Sequence, residues 1–168
     1  MSRKNKITRD TIPEGFSVPL ALTDMIPVVF FGLSAVRIGA LFHSALFTAG
    51  AIICLASGVV KVLWKLIAAV SQKNIWSMFV QMRIAMPIGL AAMIAALIAG
   101  HARLSGAAIL AGILGFPSCV FFGIGALGMV LMMIFAFAMD SSDPKSNGIE
   151  QTVNAVAQIC IFIGLLLA

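Results

Sequence analysis

Residues 104–139 read LSGAAILAGILGFPSCVFFGIGALGMVLMMIFAFAM, and no charged residue interrupts them. A helix crosses about 30 Å of hydrocarbon with roughly 20 residues, so this run of about 36 residues is too long for one straight crossing. Pro117, within the segment Gly115–Ser118, lacks a backbone donor and clashes with the preceding helical turn, which predicts a break there. Two interpretations follow: one long kinked span, or a short re-entrant half-helix followed by a full crossing.

The chain as a whole is also strongly apolar. Of 168 residues, 61% are hydrophobic and 10% are charged, with a mean hydropathy of +1.11. A soluble domain carries about 25% charged residues on its wetted surface. The sequence therefore predicts an all-α polytopic transmembrane helix bundle, with about five spans and a Gly/Pro break in the fourth apolar segment. One domain is expected over residues 20–168, its other spans being Leu20–Ala40, Ser44–Val70, Ile84–Ala99 and Ile149–Ala168.

Basic residues lie mainly in the connections between the apolar runs and indicate the orientation of the chain. Residues 1–19 form a basic tail that we expect in the cytoplasm. Cytoplasmic loops carry an excess of Lys and Arg, which predicts a multi-pass protein of the cell (inner) membrane with its N-terminus inside. With five spans, the expected inner residues are Arg3, Lys4, Lys6, Arg9, Lys61, Lys65, Lys73, Arg83 and Lys145, and the outer ones are Arg37 and Arg103.

Asp24 is an acidic side chain near the predicted inner end of the first span, three residues before Pro27. An ionisable group costs about 2.5–3.5 kcal/mol at the middle of a span and less at the interface. One interpretation makes Asp24, or Thr23, a helix cap in water. The other makes Asp24 a proton or cation site that faces the bundle interior, with Lys61 of the second span as its partner.

The last predicted span carries a stripe of polar residues. Glu150, Asn154 and Gln158 recur at every fourth position, and Gln151 lies beside them. Residues at this spacing share one face of a helix, and amides that faced lipid would lack hydrogen-bond partners. The stripe must therefore face protein or water. It serves either to hold helices together through hydrogen bonds or to line a pore or substrate pocket.

Motifs for catalysis or metal binding are missing from the sequence. The cysteines form no C-x-x-C pair, and two histidines are too few for most metal centres. The acidic segment Asp140–Asp143 lacks the ligand ladder of a calcium loop, so we predict a solvated turn there. We predict no metal, no cofactor and no catalytic residue, and an enzyme is the least favoured class. Since the basic residues are dispersed, no nucleic-acid partner is expected.

Two further function classes fit the polar residues of the predicted spans. The first is a small transporter or channel subunit that works as an oligomer, with Asp24, Lys61, Glu150, Asn154 and Gln158 as its transport or binding residues. The second is an accessory or assembly subunit of a membrane complex, for which the polar stripe is a docking surface. The expected partners are the lipid bilayer and either further copies of the chain or another membrane protein.

Overall fold

A computed structural model describes residues 17–100, 106–139 and 144–168. Within these ranges the chain is helical and forms no strand. The helices are α1 (Val18–Phe42), α2 (Ala45–Ser71), α3 (Trp76–Gly100), α4 (Gly106–Leu114), α5 (Ser118–Ala138) and α6 (Pro144–Leu167).

Five of these helices, all except α4, are long and apolar enough to cross a membrane. This confirms the predicted all-helical class and the number of spans. The nine residues of α4 extend over only about 14 Å, which is less than half of the hydrocarbon core. The fourth long helix therefore begins at Ser118, near the middle of the apolar run that starts at residue 104.

Three helices begin earlier in the chain than the apolar runs predicted. α3 begins at Trp76, eight residues before the predicted Ile84, and α6 begins at Pro144 instead of Ile149. Hydropathy marks the part of a helix that is apolar, whereas a helix continues wherever its backbone hydrogen bonds can form. Proline is well tolerated in a first helical turn, where the missing N–H has no helical acceptor.

The first helix begins before the cap position considered for it. α1 begins at Val18, capped by Ser17, whose hydroxyl accepts a hydrogen bond from the N–H of Leu20 at 3.4 Å. Asp24 therefore lies in the second turn of α1 and is not its cap, and Thr23 donates to the carbonyl of Pro19 within the helix. Most of the predicted tail, residues 1–16, lies outside the described residues.

The long helices are arranged in a row in the order α3, α2, α1, α6, α5, with the most extensive contacts at α2–α3 and α5–α6. Among the described residues, the two outermost helices, α3 and α5, make at most marginal contact with each other. α1, α3 and α6 begin at one end of the bundle, and α2 and α5 end there. We call this the charged end, because Asp24, Lys65 and Glu150 lie in its half of the bundle.

Glycines set the closest helix contacts at both sides of the row. A Cβ atom built on Gly50 of α2 would lie 2.6 Å from the carbonyl oxygen of Gly89 in α3. A Cβ atom on Gly128 of α5 would lie 2.7 Å from the Cβ atom of Ala157 in α6. Small residues allow helix backbones to approach in lipid, where no hydrophobic effect drives the helices together.

The short connection between α2 and α3 is fixed by aromatic residues. The indole N–H of Trp64, which is buried, donates to the Oδ1 atom of Asn74 at 3.1 Å. Phe79 lies beside the rings of Trp64 and Trp76, with centroid distances of 4.9 and 5.2 Å. The guanidinium of Arg83 lies 4.8 Å from the centre of the Phe79 ring. These contacts belong to the first two turns of α3, which explains why the helix extends to Trp76.

Candidate functional site

A buried ion pair connects three helices at the charged end. The ammonium of Lys65 in α2 contacts the carboxylate of Asp24 in α1, and the two side chains are only 4% and 2% exposed. The same ammonium donates to the Oδ1 atom of Asn147 in α6 at 3.3 Å. An unpaired charge is expensive in an apolar interior, so this pairing accounts for two ionisable groups within the bundle.

The partner of Asp24 is thus Lys65 and not Lys61, the lysine considered from the sequence. The two lysines are four residues apart, so they lie on the same side of α2, one turn from each other. The relative height of α1 and α2 therefore decides which lysine meets Asp24. Lys61 lies one turn further from the charged end, is half-buried, and has no ion-pair or hydrogen-bond partner within the described ranges.

Lys61 lines a cavity of about 470 Å³ in the middle of the bundle. Such a volume lies within the range of about 300–1,000 Å³ that is typical of pockets for small molecules. All five long helices contribute to its wall: Asp24, Pro27, Val28 and Phe31 from α1; Cys54, Gly58, Lys61 and Val62 from α2; Met86, Pro87 and Leu90 from α3; Met129 from α5; and Gln151, Asn154 and Gln158 from α6.

The cavity is closed toward α1, α2 and α6 and open toward α3 and α5. Its wall residues from α1, α2 and α6 include the buried Asp24, Val62 and Gln151. By contrast, Leu90 of α3 is 54% exposed and Met129 of α5 is 41% exposed. Since α3 and α5 are the two outermost helices of the row, the cavity opens sideways between them.

The polar stripe of α6 divides between the cavity and the charged end. Asn154 and Gln158 line the cavity, together with Gln151, whereas Glu150 is buried outside the cavity wall. A step of four residues turns about 40° too far around a helix with 3.6 residues per turn. Glu150 is therefore rotated by about 80° from Gln158, while Gln151 is rotated by only about 20°.

The depths of the polar wall residues place them well inside the bundle. Lys61 lies ten residues before the end of α2, and Asn154 lies ten residues after the start of α6. At 1.5 Å per residue, both are about 15 Å from the charged end of their helices. Gln158 lies one turn deeper, and its amide donates to the sulfur of Met129 at 3.6 Å. A thioether is a weak acceptor. The polar wall therefore extends from Asp24 toward the middle of the bundle.

Three residues of this region were not assigned to the site from the sequence. Gln151 belongs to it through the helix rotation described above, which a pattern based on every fourth residue conceals. Lys65 was detectable as the lysine one turn after Lys61, in a helix that continues past the apolar run. Asn147 lies four residues after Asp143, and nothing in the sequence connects it with α2.

Among the other chemistry-bearing residues that the structure describes, Cys54 contributes to the cavity wall and His43 does not. His43 caps the end of α1 and is exposed, while His101 and the acidic turn Asp140–Asp143 lie outside the described residues. The thiol of Cys54 lines the cavity and donates to the carbonyl of Met86 at 3.7 Å. In the part of the chain that the structure describes, no three His, Cys, Asp or Glu residues cluster to hold a metal ion.

Comparison of the chain with known proteins finds no matching family, no matching curated protein and no matching solved structure.

Proposed function

We propose that this chain is a small membrane transporter or channel subunit whose substrate site is the cavity between α3 and α5. The observation that carries this proposal is the polar wall of the cavity. Lys61, Asn154 and Gln158 line an open volume about 15 Å or more from the charged end, where a packed interface would leave no space. Polar groups in a membrane interior commonly mark a substrate or ion pathway.

The orientation of the bundle and the membrane that holds it belong to the same proposal. We place the charged end in the cytoplasm of a cell whose inner membrane contains the protein, because the positive charges of the connections are concentrated on that side. A chain of five spans encloses little interior alone. The proposed working unit is therefore an oligomer.

We also propose that the Gly/Pro segment 115–117 interrupts the fourth apolar segment for a functional reason. α4 ends at Leu114 and α5 begins at Ser118, which supports this placement of the break. Because α4 is too short to span, its length favours a half-helix followed by a full crossing over one kinked span. Interrupted helices commonly contribute to the substrate sites of transporters.

The first test is whether water reaches the cavity. In a background with Cys54, Cys119 and Cys160 replaced by serine, Asn154→Cys should react with a small hydrophilic thiol reagent in liposomes. Thr152→Cys on the exposed side of α6 is the matched control and should be protected by lipid. Equal protection of both cysteines would indicate a dry interface and would contradict the proposal.

The second test is transport itself. Purified protein in liposomes should conduct or exchange an ion, with protons, potassium and chloride tested first. Asn154→Ala and Asp24→Asn should reduce this flux, while Thr152→Ala should not, because Thr152 is exposed outside the cavity wall. If the flux is the same in all three variants as in the wild type, transport does not use the cavity.

An accessory subunit without transport activity is the second candidate. The sideways opening of the cavity favours it, because a helix of another membrane protein can cover α3 and α5. In that case the isolated chain should be unstable or should self-associate through this opening. Crosslinking between cysteines placed at Leu90 and Met129 of different chains would detect that association.

A further inference from the structure

We infer that the cavity binds the anionic head group of an amphiphilic molecule, a carboxylate or phosphate, and that the apolar part of the molecule lies between α3 and α5. This inference deepens the proposed function and rests on the same cavity. Lys61 would supply the countercharge, and the amides of Gln151 and Asn154 would donate hydrogen bonds.

The charges of the cavity wall favour an anion over a cation. Of the wall residues that the structure describes, Asp24 is the acidic one, and its carboxylate is already paired with Lys65. Lys61 is the basic residue of the wall and has no ion-pair or hydrogen-bond partner among residues that the structure describes. A cation would therefore compete with a buried lysine for Asp24, whereas an anion would meet an unoccupied ammonium.

Two amides add directional hydrogen bonding to this charge. Gln151 is only 6% exposed, lines the cavity, and makes no hydrogen bond within the described ranges. Asn154 lies at the depth of Lys61 and likewise has no hydrogen-bond partner there. Both amides reach the cavity, and an oxygen atom bound there would accept hydrogen bonds from their N–H donors. Hydrogen bonds of this kind to a charged acceptor are among the strong ones.

The remaining wall is suited to an alkyl chain. Val28 and Phe31 form an apolar wall on the closed side, and Met86, Leu90 and Met129 lie at the open side. Methionine side chains adapt to irregular apolar ligands. Because the opening lies between two helices that are apolar enough to cross a membrane, a molecule that is dissolved in the membrane can enter with its head group first.

The experiment uses the full-length chain in nanodiscs of zwitterionic lipid. The probe is dodecyl phosphate with a photoactivatable diazirine at the end of its alkyl chain. We expect saturable labelling of peptides that contain Met86, Leu90 or Met129. Unlabelled dodecyl phosphate and dodecanoate should compete, whereas dodecanol and dodecyltrimethylammonium should not.

Variants of the lysine identify the countercharge. Lys61→Gln keeps much of the side-chain length but removes the charge, and should raise the half-saturating concentration by at least about tenfold. Lys61→Arg should stay near the wild-type value. Lys73→Gln is the matched control, since Lys73 is exposed in the connection between α2 and α3. If Lys61→Gln fails to fold, competition between the four head groups on the wild-type chain still decides the sign of the ligand's charge.

Three outcomes would overturn the inference. Equal competition by dodecyltrimethylammonium would show that the cavity does not select anions. Unchanged saturation in folded Lys61→Gln would remove the lysine from the site. Competition by inorganic phosphate at the concentrations effective for dodecyl phosphate would show that the site takes free anions.

The same measurements separate this inference from the transport proposal. Head-group-selective labelling without any flux would support the binding site and contradict transport. If the flux depends on Asn154 but all head groups compete equally for labelling, the result would support transport and contradict binding of an anionic amphiphile.

Discussion

The contact between Gly50 and Gly89 provides a direct test of how α2 and α3 pack. In Gly50→Ala, the new Cβ atom would lie 2.6 Å from the carbonyl oxygen of Gly89 and 3.0 Å from the backbone nitrogen of Met93. Ordinary contacts of a Cβ atom begin near 3.4 Å. The two helices must therefore move apart by roughly 0.8 Å, because neither backbone atom can rotate away as the end of a side chain can.

The magnitude follows from two opposing effects. Overpacking a tight interface costs about 1–3 kcal/mol, whereas replacing glycine by alanine inside a helix gains up to about 1 kcal/mol. We expect Gly50→Ala to lower the free energy of unfolding by about 1–2 kcal/mol. The matched control is Gly123→Ala in α5, where a Cβ atom meets no atom within 4 Å. This control should be neutral or more stable than the wild type.

Reversible unfolding in mixed micelles, followed by tryptophan fluorescence, measures this difference. Trp64 is a suitable reporter because it is buried against Phe79 in the same helix pair. Gly32→Ala should lower the free energy of unfolding by an intermediate amount, since its Cβ atom would meet the flexible end of the Leu55 side chain at 2.9 Å. If Gly50→Ala proves as stable as Gly123→Ala, the close approach of α2 and α3 is wrong.

Two further substitutions test contacts at the charged end. Lys65→Met leaves Asp24 buried without its partner and should lower the free energy of unfolding in micelles by about 3–5 kcal/mol; adding Asp24→Asn should recover part of this loss, and additive losses would argue against the ion pair. Trp64→Phe removes the indole donor to Asn74 and should cost about 1 kcal/mol in the same assay. Asn74→Ala should cost less in the Trp64→Phe background than in the wild type, and equal costs in both backgrounds would mean that the two side chains act independently.

Much of the fold could be predicted from the sequence, because a membrane imposes simple rules on a chain. Apolar length identified five spans, and all five correspond to long helices. The errors concern polar helix ends, such as residues 76–83 at the start of α3. Their helical structure depends on contacts between Phe79 and the two tryptophans, and hydropathy does not report those contacts.

The candidate site could be predicted only in part. Asp24, Lys61, Asn154 and Gln158 do line one cavity, although the proposal that they bind or transport a substrate stays untested. Glu150 was placed with them by its spacing, but the helix rotates it out of the wall. The partner of Asp24 was missed because Lys61 and Lys65 share a side of α2, and sequence spacing does not fix the height of one helix against another.

The sequence by itself determined that the chain forms apolar helices, since lipid offers no partner for an unpaired backbone amide. It also determined that the polar groups of these helices require shelter within the protein or an assembly. Only the tertiary structure decided which groups meet. The pairing of Asp24 with Lys65, and the position of Lys61 in the same cavity wall as Asn154, depend on helix order, height and rotation. These are set by close contacts such as Gly50 against Gly89, between residues that are far apart in the chain.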